Sequence, residues 1–396
     1  MTPNTPKVAL LIETARSYGR GLLRGIAKYS RLHGPWQFHL TPGDFEQIIP
    51  KMRDWGGMGI IARVLNETMA NAILQTGLPT VFLDFPMSME NRKDGKKRQF
   101  IDMSSDSENA ARLAASHLLE KQLVHFAFAG YPFQTWSEKR EQSFVAAIGE
   151  AGYSVHVYRT SLRAGQPLRW EKEEPFLMEW LKLLPKPIGV MACNDQRGRE
   201  VLDACELAEI HVPEKLAVIG VDNDDILCEL CTPPLTSVTL NTEKGGYVAA
   251  GVLDEMMKGN LPPMNSILVE PLGIVERRST DIIAIEDGDV AVALQYIHSN
   301  AVCNLSIDNI VKEVTVSRRA LEVKFRKILG KTILDEIQRV RLEHSKRLLH
   351  ETEMSIPEIA SDVGFNTPSY FIQVFSKDTG MTPAKYRRFL YKGWSD

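Results

Sequence analysis

The chain has 396 residues, 44% of them hydrophobic, and 47 Lys and Arg against 50 Asp and Glu, for a formal net charge of -3. That length suffices for two or three domains with filled cores, and the near-neutral balance excludes a chain that grips an acidic partner by bulk charge alone. No leader or membrane span is expected, since the apolar run 8–12 is short and is followed by Glu13 and Arg16, and the five cysteines, an odd number, point to reduced thiols in the cytoplasm.

The first two-thirds alternates short apolar runs with amphipathic stretches. Strands are expected at 8–12, 59–64, 80–84, 125–130, 189–193 and 216–222, and helices at 21–32, 107–121, 138–150, 197–208 and 244–257. This order predicts parallel sheets with helices on both faces. So many units exceed one sheet with a single switch point. Two α/β lobes are therefore expected, near 7–103 and 104–235, with the remainder to 275 crossing between them and a linker at 276–288.

Ligands of such sheets lie beyond the carboxyl ends of the strands. The first strand runs into Glu13, with Arg16, Tyr18 and Arg20 in the loop that follows. The fourth precedes a loop holding Trp136 and Arg140. The fifth ends in Asn194-Asp195 and the sixth in Asp222-Asn223-Asp224-Asp225. Carboxylates and guanidinium groups each grip neighbouring hydroxyls, and an indole stacks on the C–H face of a pyranose. One Asp or Asn at a strand end is a turn former or helix cap. Four loops converging on one edge favour a sugar-like pocket instead.

Cys228-x-x-Cys231 has redox or metal spacing, but a single pair is half a zinc site, and Pro233-Pro234 follow it. It reads as a coincidence in a surface segment, with a redox or metal sensor as the alternative. An enzyme fused to a DNA reader would need an activated nucleophile, and no cysteine has a His partner by spacing. No catalytic residue, metal site or cofactor is assigned.

The last hundred residues repeat themselves. Phe325, Lys327, Gly330 and Thr332 recur fifty residues on as Phe375, Lys377, Gly380 and Thr382. Upstream of each copy is an apolar helix pattern, Ile307, Ile310, Val311 and Val314, then Ile356, Ile359, Ala360 and Val363. Ser306, Ser317, Ser355 and Thr367 supply start signals, and Ser355-Ile356-Pro357-Glu358 is a capping box with proline in the first turn. A capped helix after a short turn is the geometry that puts a reading helix in the major groove of double-stranded DNA. Two helix-turn-helix units are expected, at 306–328 and 355–379, joined by a helix over 332–350 inside a domain at 289–396. Helical periodicity buries Leu321, Phe325 and Ile328 and leaves Arg318, Arg319, Glu322 and Arg326 outward. In the second copy Phe371, Val374 and Phe375 go inward, leaving Ser369, Gln373 and Lys377. Arginine suits guanine, glutamine suits adenine, and lysine holds phosphate. Residues 287–396 carry 16 Lys and Arg against 14 Asp and Glu, so placement rather than total charge must provide affinity.

On Leu321, Phe325, Gly330, Arg341, Leu348, Leu349, Ile359, Ala360, Val363, Gly364, Phe365, Phe371, Phe375, Gly380, Pro383 and Tyr386, this segment resembles the DNA-binding domain of the AraC/XylS family. It departs at Thr315, where relatives often have glycine in the first turn. The upstream part resembles the ligand-binding core of LacI/GalR-type regulators on Asn194-Asp195, Val218-Ile219-Gly220-Val221-Asp222, Pro234-Leu235-Thr236-Ser237-Val238 and Gly246. That resemblance implies that Arg140, Asn194 and Asp222 contact a sugar; Leu240 stands where many relatives have Gln. The joined order resembles pentose operon regulators, along Tyr18, Arg20, Asp106, Trp136, Arg140, Asp222 and residues 276–281, with Glu13 where Asn is expected. It implies a two-lobed, periplasmic-binding-protein-like α/β domain ahead of an all-α reader. The implied function is a cytoplasmic homodimeric transcription activator that binds operator DNA and RNA polymerase. A monosaccharide would close its lobes, D-xylose foremost, another monosaccharide being the alternative. Ligand residues are then Glu13, Tyr18, Arg20, Asp106, Trp136, Arg140, Asn194, Asp195 and Asp222.

Overall fold

The computed structural model describes residues 5–40, 56–64, 67–85, 100–159, 170–260, 266–282, 287–301, 305–352 and 354–392. The chain divides into two units, Met1–Ala284 and Ile285–Asp396. The first begins with β1 (Lys7–Leu11), α1 (Ser17–His33), β2 (Gln37–Leu40), β3 (Gly59–Arg63), α2 (Glu67–Gln75), β4 (Thr80–Leu83) and β5 (Phe100–Ser105). A second lobe follows, with α3 (Ser107–Glu120), β6 (Phe126–Ala129), α4 (Thr135–Glu150), β7 (Val155–Val157), α5 (Trp170–Leu183), β8 (Ile188–Ala192), α6 (Asp195–Leu207), β9 (Leu216–Val221), α7 (Asp225–Leu230) and β10 (Thr236–Leu240). The chain returns to the first lobe for α8 (Thr242–Met257) and β11 (Ser266–Val269), then crosses once more to β12 (Pro271–Val275).

Among the described residues the strands form two six-stranded sheets, ordered β11-β5-β4-β3-β1-β2 and β12-β10-β9-β8-β6-β7. The first is parallel throughout, and the second is parallel except where β12 runs against β10. The central strands β3, β4, β6, β8 and β9 are almost wholly buried apolar runs, as strands covered by helices on both faces must be.

Helices α1 and α8 pack backbone to backbone because glycine lines their seam. A Cβ on Gly25 would stand 2.0 Å from the Glu243 carbonyl oxygen, and one on Gly246 would stand 2.1 Å from that of Leu22. Neither backbone can yield locally, so a side chain there must push the helices apart. Gly25→Val is expected to cost about 3 kcal/mol, the upper end for overpacking, read as a lower urea midpoint. An unchanged midpoint would show that the helices slide freely.

Residues 276–282, where a linker is expected to begin, are held in the second lobe. Arg277 donates to the Leu235 carbonyl at 3.0 Å and to Asn223 Oδ1 at 2.9 Å. Ser279 Oγ donates to the Val218 carbonyl, and Thr280 Oγ1 meets His117 Nε2 at 2.8 Å. Residues 283–286 of that span lie outside the described residues.

The second unit consists of α9 (Gly288–Asn300), α10 (Ile307–Glu313), α11 (Arg318–Leu329), α12 (Ile333–Glu351), α13 (Ile356–Asp362), α14 (Pro368–Thr379) and α15 (Pro383–Lys392). It has two small cores. Val290, Ala293, Ile310, Leu321 and Phe325 build one, and Ile359, Val363, Phe365, Phe371 and Phe375 the other. Helix α12 serves both, giving Ile333 and Ile337 to the first and Leu342 and Leu349 to the second. Ser306, Thr332 and Ser355 each form a reciprocal capping box with the residue three places on. Gly330 and Gly380 end α11 and α14 at φ +68° and +72°, where a Cβ would be strained. This explains why the repeat carries glycine at that position.

The two turns are built differently. Gly364 turns the second at φ +84°, with the Arg341 guanidinium packed against it. The first has no such residue; Val314 stays extended, and Thr315 bonds instead through its N–H and its hydroxyl to Asp289 of α9, at 2.9 and 2.7 Å. Asp289 also takes Lys324 Nζ at 2.8 Å, and these donors hold its carboxyl down at about 2. Among the described residues, no helix is long and apolar enough to cross a membrane.

Candidate ligand cleft and nucleic-acid interface

The carboxyl ends of both sheets meet at a cleft. The first lobe contributes Glu13, Arg16, Tyr18, Arg63, Asp84 and Ser105, and the second Trp136, Arg140, Asn194 and Asp222. Glu13 Oε2 lies 3.2 Å from Arg63 Nε, close enough for an ion pair but not aligned for a hydrogen bond. Arg63 also reaches Asp84 at 3.6 Å and lies over the Tyr18 ring at 5.1 Å. Burial pushes the Tyr18 phenol well above its ordinary range, so the group is a neutral donor.

On the opposite side Arg140, 3% exposed, donates to the Cys193 carbonyl, to Ser105 Oγ at 3.2 Å and to Asp222 Oδ1 at 3.4 Å. The Ser105 bond crosses the cleft. The guanidinium is stacked 5.3 Å from the Trp136 ring centre. Burial raises the Asp222 carboxyl, and the Arg140 and Arg63 guanidinium charges oppose that rise.

Asp84 and Asp222 are the same device, one in each lobe. Each follows a central strand at positive φ, +55° and +104°, and each donates its N–H to the neighbouring strand, to Met103 and Val238 respectively. Such a backbone costs about 1–3 kcal/mol in a non-glycine residue and persists where surrounding structure enforces it. Two further properties define the cleft. Its guanidinium groups, Arg16, Arg63 and Arg140, are matched by three carboxylates, Glu13, Asp84 and Asp222. Glu13 Oε2, Tyr18 OH, Arg63 Nε and Arg140 Nε are buried without a hydrogen-bond partner among the described residues.

Of the residues expected at a ligand, Glu13, Tyr18, Trp136, Arg140, Asn194 and Asp222 come together here. They do not all stand on loops as expected: Tyr18 lies in the first turn of α1, Trp136 and Arg140 lie in α4, and Asn194 Oδ1 caps α6 by accepting the Arg197 N–H at 2.9 Å. Three others lie elsewhere. Arg20 turns away from the cleft to Asp224. Asp106 caps α3 through the Asn109 N–H at 3.0 Å. Asp195 is buried under the 222–224 turn, bonded to Ser237 Oγ and to the Asp224 N–H, with its carboxyl pushed up to about 8 by burial and by Asp222. Arg63, Asp84 and Ser105 were not among the expected residues, yet the same strand-end rule applied to β3, β4 and β5 finds them.

Cys228 and Cys231 are not in a surface segment. Both are packed into the second lobe's core, where burial raises their thiols, Cys231 to about 11. A thiol held protonated at neutral pH is a poor nucleophile and metal ligand. Among the described residues no cluster of His, Cys, Asp or Glu is placed to hold a metal ion. Cys303 lies outside the described residues.

In the second unit, Arg318, Arg319 and Arg326 are exposed on α11 opposite the buried Leu321 and Phe325, with Glu322 half-buried beside them. Ser369, Gln373 and Lys377 are exposed on α14 opposite Phe371 and Phe375. Arg318 is engaged by Asp308 at 3.3 Å and by Glu322 at 3.1 Å. Arg319, Arg326 and Gln373 have no polar partner among the described residues, so their donors are available to a ligand outside the chain.

Residues 115–280 match the family of periplasmic binding protein-like domains, and residues 310–388 match a helix-turn-helix domain. The xylose operon regulatory protein of Escherichia coli (strain K12) is 32% identical over 385 residues, covering 96% of either chain. That of Haemophilus influenzae is 30% identical over 390 residues, covering 98% of this chain and 99% of the relative. The chain belongs to the family of xylose operon regulatory proteins. Within that family, the solved structure of the xylose-binding transcription activator xylR superposes with a TM-score of 0.78 at 30% identity, covering 98% of this chain and 99% of the other. The lac repressor, at 14% identity and a TM-score of 0.54 over 70% of this chain, shares the fold of the first unit. The family has two parallel-sheet α/β lobes, as the alternation of strands and helices predicted, followed by a helical reader, as the C-terminal repeat predicted. The chain is a sugar-responsive, DNA-binding transcription regulator.

Proposed function

We propose that the chain activates genes of pentose catabolism and that D-xylose is its effector. The observation that carries this reading is the cleft: balanced in charge, and lined by four buried polar atoms that lack partners. A phosphate or carboxylate ligand would leave that balance broken, whereas a neutral polyol has hydroxyls that both donate and accept. Glu13, Arg63, Asp84, Arg140, Asn194 and Asp222 would take the hydroxyls, and Trp136 the C–H face. The relatives named for xylose support the choice of pentose.

In this reading the first unit, including the held residues 276–282, is the ligand-binding domain, and 289–396 is the reader. Sugar binding favours one of two lobe arrangements, and that preference changes how the DNA-binding domains are presented. The working form is a cytoplasmic homodimer that recruits RNA polymerase and has no catalytic activity of its own. Arg319 and Gln373 read bases, while Lys377 holds phosphate. A thermal-shift series over monosaccharides tests the effector. D-xylose at 100 times its Kd is expected to add about 2.7 kcal/mol of stability and raise the melting temperature, and other pentoses are expected to do so only at higher concentration. No shift with any pentose would overturn the assignment.

A further inference from the structure

Asp224 does not line the cleft, yet through it the second lobe grips the first. The turn after β9 holds Asp222 at φ +104° and Asn223 at +48°, so consecutive side chains diverge sharply. Asp222 points into the cleft. The Asp224 carboxylate leaves its own lobe, accepts the Ser17 N–H at 3.0 Å, and takes Arg20 Nη2 with both oxygens at 3.1 Å. Ser17 opens α1, whose N-cap residue, Arg16, offers no side-chain cap. The cap missing from a first-lobe helix is thus supplied by a carboxylate of the second lobe, where the helix dipole favours negative charge.

The carboxylate is fixed from behind. The Asp224 N–H donates to Asp195 Oδ2 at 2.7 Å, Asp195 is held in turn by Ser237, and the Asn223 N–H donates to Ser237 Oγ at 3.0 Å. Asp195 fits only because Gly220 has no side chain; a Cβ there would stand 2.4 Å from Asp195 Oδ1. Side-chain exposures of 15% for Asp224 and 32% for Arg20 make this a partly desolvated pair. We infer that Asp224, with Arg20, is a positioning residue for sugar binding: a latch between the lobes that sets how long the cleft stays closed without touching the ligand. The inference rests on the reading that the cleft takes a sugar. When the lobes part, the Asp224 carboxylate loses its first-lobe donors together, and α1 loses its cap. The latch therefore lowers the free energy of the closed arrangement alone, and the effector's affinity includes that gain.

The test uses the full chain and D-xylose, following cleft fluorescence by stopped flow and affinity by calorimetry. Asp224→Asn is expected to weaken binding about tenfold or more, through faster dissociation with an unchanged association rate. Arg20→Met should match it, and the double variant should be no worse than either single one. Asp224→Glu should recover part of the loss. The melting temperature without sugar should stay at the wild-type value, which a merely structural role would lower. Wild-type affinity in Asp224→Asn, additive losses in the double variant, or a lowered sugar-free melting temperature would each overturn the latch. A wild-type chain that binds no pentose would overturn the sugar reading and the latch with it.

Discussion

Asp222→Asn is expected to weaken D-xylose binding by about 100-fold or more while leaving operator binding without sugar at its wild-type level. The substitution keeps the shape of the side chain, and asparagine tolerates the positive φ of this position. What it removes is charge beside a guanidinium that is 3% exposed. Arg140 would be left with the Cys193 carbonyl and Ser105 Oγ, both neutral. Truncating one partner of a buried, hydrogen-bonded charge pair costs about 2–5 kcal/mol, which is roughly 30- to several thousand-fold in Kd. The helix-turn-helix cores share no residue with the cleft, so the loss is expected in calorimetric sugar titrations and not in mobility shifts without sugar. Binding within threefold of wild type would show that Asp222 does not meet the effector.

Arg319→Ala and Gln373→Ala are each expected to weaken specific operator binding by about 5- to 150-fold, the equivalent of roughly 1–3 kcal/mol for a bidentate base contact. Both side chains are exposed on the second helix of their unit, and neither is tied down by the chain. Their loss should relax discrimination at one base position each, measured as the ratio of operator to random-DNA affinity at fixed salt. Lys377→Ala should instead weaken both affinities together, because a phosphate contact carries no sequence information. Arg318→Ala should have the smallest effect, since Asp308 and Glu322 already engage it. An unchanged ratio in Arg319→Ala would remove α11 from base reading.

The parts of this fold legible in sequence are those where one physical requirement dominates. Central strands such as β8 and β9 must be apolar on both faces, and their runs stand out. Edge strands escape notice: β2 is largely exposed, β7 has only three residues, and β12 alternates without a clear apolar face. Helix α5 carries Pro175 inside it, which reads as a break. In the reader, capping boxes and left-handed glycines are local signals, and both copies could be seen; the tie from Asp289 to Thr315 spans 26 residues and could not. The cleft shows the same division. Strand-end position brings Glu13, Asn194 and Asp222 to attention, but direction is not encoded locally. Arg20 is two residues from Tyr18 in one helix, so the two leave on different faces, one to the cleft and one to Asp224. Long-range pairing made that choice, and a pattern within twenty residues cannot express it.

The equal numbers of cations and carboxylates around the cleft also separate the protein's two binding reactions by their response to salt. A neutral ligand entering a balanced site displaces no counterions, so added salt leaves its affinity nearly unchanged. Each phosphate contact of the reader, by contrast, releases condensed ions and makes DNA affinity fall steeply as salt rises. Ionic strength can therefore strip the regulator from its operator while the effector stays bound, which lets the free energy linking the two ligands be measured from either end.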